Sequence, residues 1–357
     1  MISHRNDWMA GKKGIMIHFL PGPEPGRNSV DEAVGGFQSE PFLDMLDEVQ
    51  ADYLIFTLGQ NTGWYNSPNS VMERYAGPGH CPRRDLALEL AEGMHRRNRR
   101  FIAYLPCEVH FNPTVQKGFG WENCTDPETE KSFRQELFQS RWCELVREWA
   151  VRFGKSLDGW FFDGASMLRM THEDRERFRN AIRSGNPESV ICFKLASYDF
   201  GLAKGFVADN DYFGGEATLL AHGLPLLAWR RLENTDNPQW FTVPGVKFQE
   251  NSPFRPTGAF LPGTEMRQHV LCCIDAFWYH GGPVEWLRDV PYNRYRDPSS
   301  LKPGELEAPI YSDEELLTLR NAFLPVGGAV TFNVAVRPDG SIGEATREQL
   351  KRLATQC

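Results

Sequence analysis

The sequence predicts an α/β fold of the (β/α)8 barrel type, and three observations favour it. Short apolar runs alternate along the chain with longer amphipathic stretches, which is typical of strands and helices in a parallel sheet. About seven or eight such units fit into 357 residues, a length that suits a barrel of this kind. No G-x-G-x-x-G follows the first apolar run and no P-loop motif occurs, which disfavours an open nucleotide-binding sheet. We therefore expect a single barrel domain over residues 1–357.

The elements follow from the local patterns. Apolar runs predict strands, buried on both faces, at 14–19, 52–59, 100–106, 159–164 and 190–196, with weaker candidates at 210–216, 239–245 and 329–336. Amphipathic stretches predict helices at 39–50, 83–98, 129–153 and 171–185. The last of these has Thr171 as a candidate N-cap and Gly185 at its end. Residues 218–310 are irregular and rich in proline and glycine, and they predict long loops over the mouth of the barrel.

Composition and charge disfavour several classes of partner. The net charge is −8 without a basic stripe, so nucleic acid and anionic membranes are not expected as partners. No apolar run approaches the roughly 20 residues that a membrane span needs. The first residues do not resemble a signal peptide, so we expect a cytoplasmic protein, or a secreted or periplasmic one if a leader has been removed. The eight cysteines have no metal-like spacing, and we expect neither a metal nor another cofactor; a homo-oligomer stays open.

Polar side chains follow most of the predicted strands. Because the active site of such a barrel lies at the carboxyl ends of its strands, these side chains should converge on one edge. They are His18, Gln60 with Asn61, Glu108 with His110, Asp163, Glu216 and Asn333. Such a set suits a ligand with many hydroxyl groups. Asp158 begins the strand that Asp163 ends, and we interpret it as a turn residue at the opposite end of the barrel.

Two or more carboxylates at one edge indicate glycoside hydrolysis. One carboxylate attacks or stabilises the oxocarbenium-like centre, and a protonated one helps the leaving group to depart. Asp163 is the candidate nucleophile, and Gly164 after it would leave space for a sugar ring. Glu216, Glu108 and Glu265 are the candidates for the acid/base, because partners on different strands have no fixed separation in sequence.

Each candidate also has a structural interpretation, which position alone leaves open. An aspartate at the end of a strand commonly caps the following turn, and His18 could be a satisfied core histidine. Glu216 follows two glycines and could be a solvated loop residue. Gln60 and Asn61 are typical of a turn, and Trp64 could be a core residue.

Six segments, in the same order along the chain, resemble segments of glycoside hydrolase family 29, the α-L-fucosidases. They lie at 8–19, 56–70, 83–106, 160–164, 210–216 and 324–342, and together cover essentially residues 8 to 350. The first, WMAGKKGIMIHF, resembles the family's W-x-x-x-K-F-G-I-F-I-H-W. The fourth, WFFDG, resembles its W-x-D-G strand, whose aspartate is the nucleophile. The fifth, NDYFGGE, resembles G-D-Y-x-x-P-E.

The resemblance implies a metal-independent, retaining exo-glycosidase that removes a terminal α-L-fucosyl or related sugar through a covalent glycosyl-aspartate. Asp163 would be the nucleophile, His18 would bind sugar hydroxyls, and Trp64 would lie beside the sugar. The family's acid/base lies in a variable region after the nucleophile, where Glu216 and Glu265 compete. We favour Glu216 because it ends a predicted strand. The implied partner is an oligosaccharide or glycoside substrate.

The chain departs from the family pattern at two places. Gln60 and Asn61 stand where the family has a pair of histidines that hold the fucose hydroxyls. Amides can hydrogen-bond to a sugar but do not titrate, so a different hydroxyl pattern is expected. The substrate-binding set is then expected to include Gln60, Asn61, Glu108 and Glu265. The chain also stops soon after its last matched segment, which predicts that the C-terminal β-sandwich of many family members is absent.

Two alternatives remain open at this point. The loss of the histidine pair would also fit a carbohydrate-binding homologue without catalysis. A barrel enzyme of another class, such as a metal-assisted isomerase or a lyase, would use His18, Glu108, His110 and Glu216 to bind a divalent ion.

Overall fold

A computed structural model describes residues 4–23, 29–109, 111–122, 135–165, 170–194, 210–217, 220–225, 253–275 and 309–356. The strands are β1 (Lys13–Ile17), β2 (Tyr53–Thr57), β3 (Arg100–Pro106), β4 (Gly159–Asp163), β5 (Val190–Phe193), β6 (Glu216–Ala217), β7 (Leu220–Ala221), β8 (Leu224–Pro225), β9 (His269–Cys273) and β10 (Ala329–Val334). The α-helices are α1 (Val30–Gly36), α2 (Ser39–Glu48), α3 (Ser70–Ala76), α4 (Leu86–Arg96), α5 (Pro113–Phe119), α6 (Glu136–Phe153), α7 (His172–Ile182), α8 (Asp313–Phe323) and α9 (Glu344–Thr355).

The chain divides into two compact units whose segments alternate along the sequence. The first unit comprises Met1–His18, Glu40–Leu54 and Lys194–Cys357. The second comprises Phe19–Ser39 and Ile55–Phe193. Both units alternate parallel strands with helices, which confirms the predicted α/β class. A complete eight-unit barrel and a single domain over the whole chain stay predictions.

In the first unit, four strands follow one another in the order β1-β10-β9-β6 and pair in parallel. Every residue of β9 and β10 is buried, as expected for strands covered on both faces. The register places Met16 opposite Asn333, and Asn333 opposite Cys273. The carboxyl ends of β1, β10 and β9 are therefore aligned.

In the second unit, the order is β5-β4-β3-β2, again with parallel pairing of β5, β4 and β3. Side chains of β4 alternate between its two faces. Trp160 stacks on Phe162, and Phe162 meets Phe178 of α7 edge to face, so these two residues face the helix. Phe161 and Asp163 point to the opposite face, where Phe161 stacks on Tyr104 of β3 at 5.7 Å between ring centroids. The strand can carry an aspartate after three aromatic residues because successive side chains point to opposite faces, so Asp163 does not share the face of Trp160 and Phe162.

The four predicted helices and the five strong strand predictions are confirmed where the structure describes them; residues 129–134 of the third helix and 195–196 of the fifth strand lie outside the described residues. Helix α7 begins as predicted at the N-cap Thr171, whose hydroxyl accepts the N–H of Asp174 at 3.2 Å. The Asp174 carboxylate accepts the N–H of Thr171 at 2.9 Å, which completes a capping box. Helix α7 ends at Ile182, ahead of the predicted Gly185.

The prediction that Glu216 ends a strand was wrong. Glu216 begins the short strand β6 instead of ending a strand, because the chain turns at Gly215 with φ +62°. A side chain on Gly215 would collide with the backbone carbonyl of His269. The region predicted as loops contains β7, β8 and β9. The weak strand prediction at 239–245 lies outside the described residues.

A hydrogen-bonded network is buried in the first unit. His269 Nδ1 lies 2.8 Å from the Phe213 carbonyl oxygen, so this nitrogen carries the proton and donates it. His269 Nε2 then accepts the hydroxyl of Thr331 at 2.7 Å, and Thr331 accepts the hydroxyl of Tyr53 at 2.7 Å. Burial lowers the pKa of His269 to about 4. The network therefore holds a neutral histidine.

This network predicts acid sensitivity of the fold. Between the ordinary histidine pKa of about 6.5 and the folded value of about 4, the unfolded chain binds a proton at His269 that the folded chain does not. The free energy of unfolding should therefore fall as the pH drops through this window, by up to about 3 kcal/mol. Urea denaturation at about pH 7, 6 and 5 measures the slope. The slope should be flatter in His269→Gln; equal slopes in both proteins would rule out this histidine as the cause.

Candidate active site

Asp163 lies half-buried at the carboxyl end of β4. Its Oδ2 accepts the hydroxyl of Tyr104 at 2.7 Å, and its Oδ1 accepts the backbone N–H of Gly164 at 2.9 Å. Its backbone carbonyl accepts the N–H of Cys107 at 2.7 Å, which fastens the end of β4 to the residue after β3. One donor on each carboxylate oxygen stabilises the negative charge and fixes the orientation of the group.

The sequence analysis did not identify Tyr104 as a site residue. Its side chain is fully buried, and burial together with the neighbouring Asp163 carboxylate raises the pKa of Tyr104 well above its ordinary value. The phenol therefore stays protonated at neutral pH and donates to Asp163. Gln60 Nε2 donates to the same phenol oxygen at 2.7 Å. Tyr104 thus links the residue after β2 to the end of β4.

Gln60 and Asn61 follow β2. They are hydrogen-bonded to each other, and Asn61 is also hydrogen-bonded to Glu108. The backbone N–H of Asn61 donates to Gln60 Oε1 at 2.9 Å. The side-chain Nδ2 of Asn61 donates to Glu108 Oε1 at 3.2 Å. Glu108 is half-buried in the segment that follows β3. The predicted residues Gln60, Asn61, Glu108 and Asp163 are therefore brought together at the carboxyl ends of β2, β3 and β4.

Gly164 has a backbone reason to be glycine. Its φ of +64° lies in the left-handed region, which other residues rarely adopt. A Cβ at this position would also come within 2.8 Å of the Glu108 carboxyl carbon. The structure shows that this glycine lets the Glu108 carboxyl approach the residue after Asp163. That it also leaves space for a sugar ring stays a prediction.

The loops after β2 and β3 are tied together beside this cluster. The N–H of Phe111 donates to the carbonyl of Asn61 at 3.1 Å. Trp64 is half-buried and stacks on His80 with ring centroids 4.9 Å apart. His80 is held in turn by the Gly63 carbonyl, 2.9 Å from its Nδ1. Phe111 itself is 72% exposed. Trp64 was predicted from the sequence and Phe111 was not.

A separate polar cluster lies in the first unit at the carboxyl ends of β1, β9 and β10. His18 is buried directly after β1, with Nδ1 3.0 Å from Asn333 Oδ1. Because an amide oxygen only accepts, this bond places the imidazole proton on Nδ1 and makes Nε2 the acceptor atom. The Asn333 amide is held by its other end, where Nδ2 lies 3.6 Å from Cys273 Sγ. Asn333 therefore orients His18.

Glu216 is also buried in the first unit and forms an ion pair with Lys194, the residue directly after β5. The solvated-loop interpretation of Glu216 is therefore wrong, because the side chain is buried and paired.

Glu265 lies apart from the polar cluster of the first unit. It precedes β9 by four residues, so it belongs to the amino ends of the strands. Its side chain is 83% exposed, and its carboxylate is 3.9 Å from His4, which precedes β1. Active sites of barrels of this kind lie at the carboxyl ends. We therefore leave Glu265 out of the proposed site, both as a substrate-binding residue and as an acid/base.

Two absences hold for the described residues. Among them, no group of three or more His, Cys, Asp and Glu side chains is arranged to hold a metal ion. His110, a member of the metal-binding alternative, lies outside the described residues. None of the helices that the structure describes has the length and apolar character of a membrane span.

Comparisons with known proteins give matches at the level of structure. No protein-family model matches the sequence, and no curated protein is significantly similar to it. The endo-fucoidan hydrolase MfFcnA4 from glycoside hydrolase family 107 matches with a TM-score of 0.63 and 14% identity over 98% of this chain. The family 107 endo-fucoidan hydrolase P5AFcnA matches with a TM-score of 0.59 and 14% identity over 100% of this chain. The α-L-fucosidase AlfC from Lactobacillus casei, in complex with α-L-fucose, matches with 0.54 and 14% over 98%.

The chain has the fold of these glycoside hydrolases. It covers 53% of MfFcnA4, 94% of P5AFcnA and 96% of AlfC, so it spans about half the length of the first. The coarser part of the expectation is confirmed: the chain has an α/β fold shared with glycoside hydrolases, an α-L-fucosidase among them. Family 107 enzymes match over the same extent, so membership of family 29 in particular stays a prediction.

Proposed function

We propose that this protein is a retaining glycoside hydrolase that acts on a fucosyl or related sugar, with Asp163 as its nucleophile. The observation that carries the proposal is the half-buried Asp163 carboxylate at the end of β4, held by Tyr104 and Gly164. A second carboxyl group, that of Glu108, approaches the same turn. The shared fold with fucoidan hydrolases and an α-L-fucosidase supports the proposal.

The proposed reaction has two steps. In the first, Asp163 attacks the anomeric carbon while an acid donates a proton to the departing glycosidic oxygen, which leaves a glycosyl ester on Asp163. In the second, the deprotonated acid removes a proton from water, and the water attacks the ester from the same side as the departed group. The anomeric configuration is retained, and the acid recovers its proton. The bond from Tyr104 keeps the attacking carboxylate in one orientation before the first step.

Glu108 is our first candidate for the acid, and Glu216 is the second. Glu108 shares the hydrogen-bonded cluster of Asp163 through Asn61 and lies against Gly164. Glu216 is instead engaged in a buried ion pair with Lys194. Glu108 therefore replaces Glu216, the residue favoured from the sequence, as the first candidate.

Glutamine substitutions distinguish the two candidates. In the variant that lacks the acid, hydrolysis of substrates with poor leaving groups should fall by roughly 100- to 10,000-fold. Aryl glycosides with strongly acidic leaving groups should be affected much less, because they depart without a proton. We expect this pattern for Glu108→Gln and not for Glu216→Gln, measured as kcat/KM across a series of aryl α-L-fucosides. The reverse pattern would assign the acid to Glu216.

Endo cleavage is a second candidate for the mode of action, because the endo-fucoidan hydrolases match with TM-scores of 0.59 to 0.63. The test is a panel of p-nitrophenyl α-L-fucoside, α-L-galactoside, α-D-glucoside and β-D-galactoside, together with fucoidan. Release of monosaccharide indicates exo action, and release of oligosaccharides indicates endo action. Retained binding by calorimetry, with no turnover of any substrate, would indicate a carbohydrate-binding protein and reject the proposal.

A further inference from the structure

We propose that Gln60 is a positioning residue that acts on the nucleophile through Tyr104, and that it does not read sugar hydroxyls. The kinetic part of this inference rests on the proposed function. Its structural part does not, because it concerns the hydrogen bonds that join Gln60, Tyr104 and Asp163.

The direction of each hydrogen bond between Asn61, Gln60, Tyr104 and Asp163 is fixed, because the groups at the two ends can only donate or only accept. The backbone N–H of Asn61 can only donate, so the oxygen of the Gln60 amide must be the atom that faces it. The NH2 group of Gln60 therefore faces Tyr104 and donates to the phenol oxygen. The single phenol proton is then directed to Asp163, which as a carboxylate can only accept.

Burial strengthens this arrangement. Tyr104 is 1% exposed, so its hydroxyl has little access to water as an alternative partner. A buried hydrogen bond to a charged acceptor is stronger than one between neutral groups. A substitution of Gln60 should therefore affect Asp163 by changing the direction in which the Tyr104 hydroxyl proton points.

The neighbouring Asn61 has a parallel role on the second carboxyl group. Its side-chain N–H donates to Glu108 Oε1, while its backbone N–H orients Gln60. Neither amide titrates, so the number of N–H donors that Gln60 and Asn61 offer does not change with pH. Gln60 and Asn61 are thus two uncharged, hydrogen-bonded residues that orient Asp163, through Tyr104, and Glu108.

The decisive variant is Gln60→Glu, which keeps the shape of the side chain and removes its donor. An ionised carboxyl at this position would accept the hydrogen bond of the Tyr104 hydroxyl. Asp163 would then lose that hydrogen bond. We expect kcat to fall by roughly 10- to 100-fold at about pH 7, with KM changed less than about threefold. The deficit should shrink as the pH falls towards the ordinary glutamate pKa of about 4.3, because the protonated carboxyl donates again.

A double-mutant cycle with Tyr104→Phe tests whether Gln60 acts through the phenol. In the Tyr104→Phe background, Gln60→Glu should cost less than about twofold in kcat. The matched control is Gln38→Glu, the same change at an exposed side chain of the same unit, which should leave kcat within about twofold. An undiminished cost in the Phe background, or a raised KM with unchanged kcat, would overturn the inference and assign Gln60 to sugar binding.

A readout without turnover separates this inference from the proposed function. With 13C at the ζ carbon of tyrosine, the Tyr104 signal can be assigned by its loss in Tyr104→Phe. In the Gln60→Glu protein this signal should show a pH-dependent step from the new carboxyl, in addition to the shift that the parent protein and Gln38→Glu show when Asp163 itself takes up a proton. A Tyr104 signal that ignores the new carboxyl would overturn the hydrogen-bond chain itself. If the signal responds but the protein hydrolyses no glycoside, the hydrogen bonds from Gln60 through Tyr104 to Asp163 are supported. Only the assignment as an enzyme is then rejected.

Discussion

Replacing Asp163 with alanine should lower turnover by roughly a thousandfold or more, while the protein keeps its fold. A nucleophile has no substitute in the first step, and losses of this size accompany removal of groups that act on the reacting atoms. The effect on stability should be small, because the carboxylate is only half-buried at the end of a strand. Initial rates and urea denaturation of the same preparations measure the two quantities.

Azide provides a control for this variant. The space left by the Asp163 side chain admits a small anion, which can attack the anomeric carbon from the same side as the lost carboxylate. An α-glycoside should then yield a β-glycosyl azide, whereas azide added to a variant of the acid/base should yield an α-glycosyl azide. Parent-level hydrolysis by Asp163→Ala would remove Asp163 from the mechanism.

Replacing Asp158 with alanine should have the opposite consequence, a loss of stability with kcat unchanged. Asp158 is 3% exposed and accepts hydrogen bonds from His95 Nε2 at 2.7 Å, Arg100 at 2.6 Å and the Phe101 N–H at 2.9 Å. Breaking a buried ion pair by removing one partner leaves the others without compensation. We expect the free energy of unfolding to fall by about 3 kcal/mol, at the lower end of the usual range because Arg100 and His95 retain access to water.

A surface ion pair supplies the comparison for Asp158. Glu48 pairs with Arg347, and both side chains are more than a third exposed. Glu48→Ala should therefore cost no more than about 1 kcal/mol. Wild-type stability of Asp158→Ala, or a fall in its kcat without a fall in stability, would contradict the assignment of Asp158 to the amino end of β4.

Much of the fold, and the contrast between Asp158 and Asp163, could be predicted from the sequence. Apolar runs of strand length and amphipathic runs of helix length are local patterns, and the order of a strand's residues fixes which end meets which edge of a parallel sheet. The buried pairing of Asp158 agrees with the structural role predicted for it.

The contacts within the candidate site could not be predicted. They depend on which residues lie opposite one another on neighbouring strands, and local sequence patterns do not contain this information. Tyr104 lies opposite Phe161, which places Asp163 two residues further along the same face. This register brings the phenol to the carboxylate, yet in the sequence Tyr104 is one more apolar residue of a buried strand. The link from Gln60 to Tyr104 likewise joins residues 44 positions apart.

The misplacement of Glu265 has a related cause. Strand β9 is only five residues long and lies in a region whose prolines and glycines predicted loops. Without β9, nothing in the sequence shows that Glu265 precedes a strand and so lies at its amino end.

The most direct test of the central claim is to trap the glycosyl–enzyme intermediate. An activated 2-fluoro-fucosyl substrate should form the ester quickly and hydrolyse it slowly, because the electron-withdrawing fluorine destabilises the oxocarbenium-like transition states. Mass spectrometry after digestion should then find one added fluoro-sugar on the peptide that contains Gly159–Gly164, located at Asp163, and none in Asp163→Asn. An adduct on Glu108 or Glu216, or steady turnover of fucosides with no adduct under any condition, would contradict Asp163 as the nucleophile.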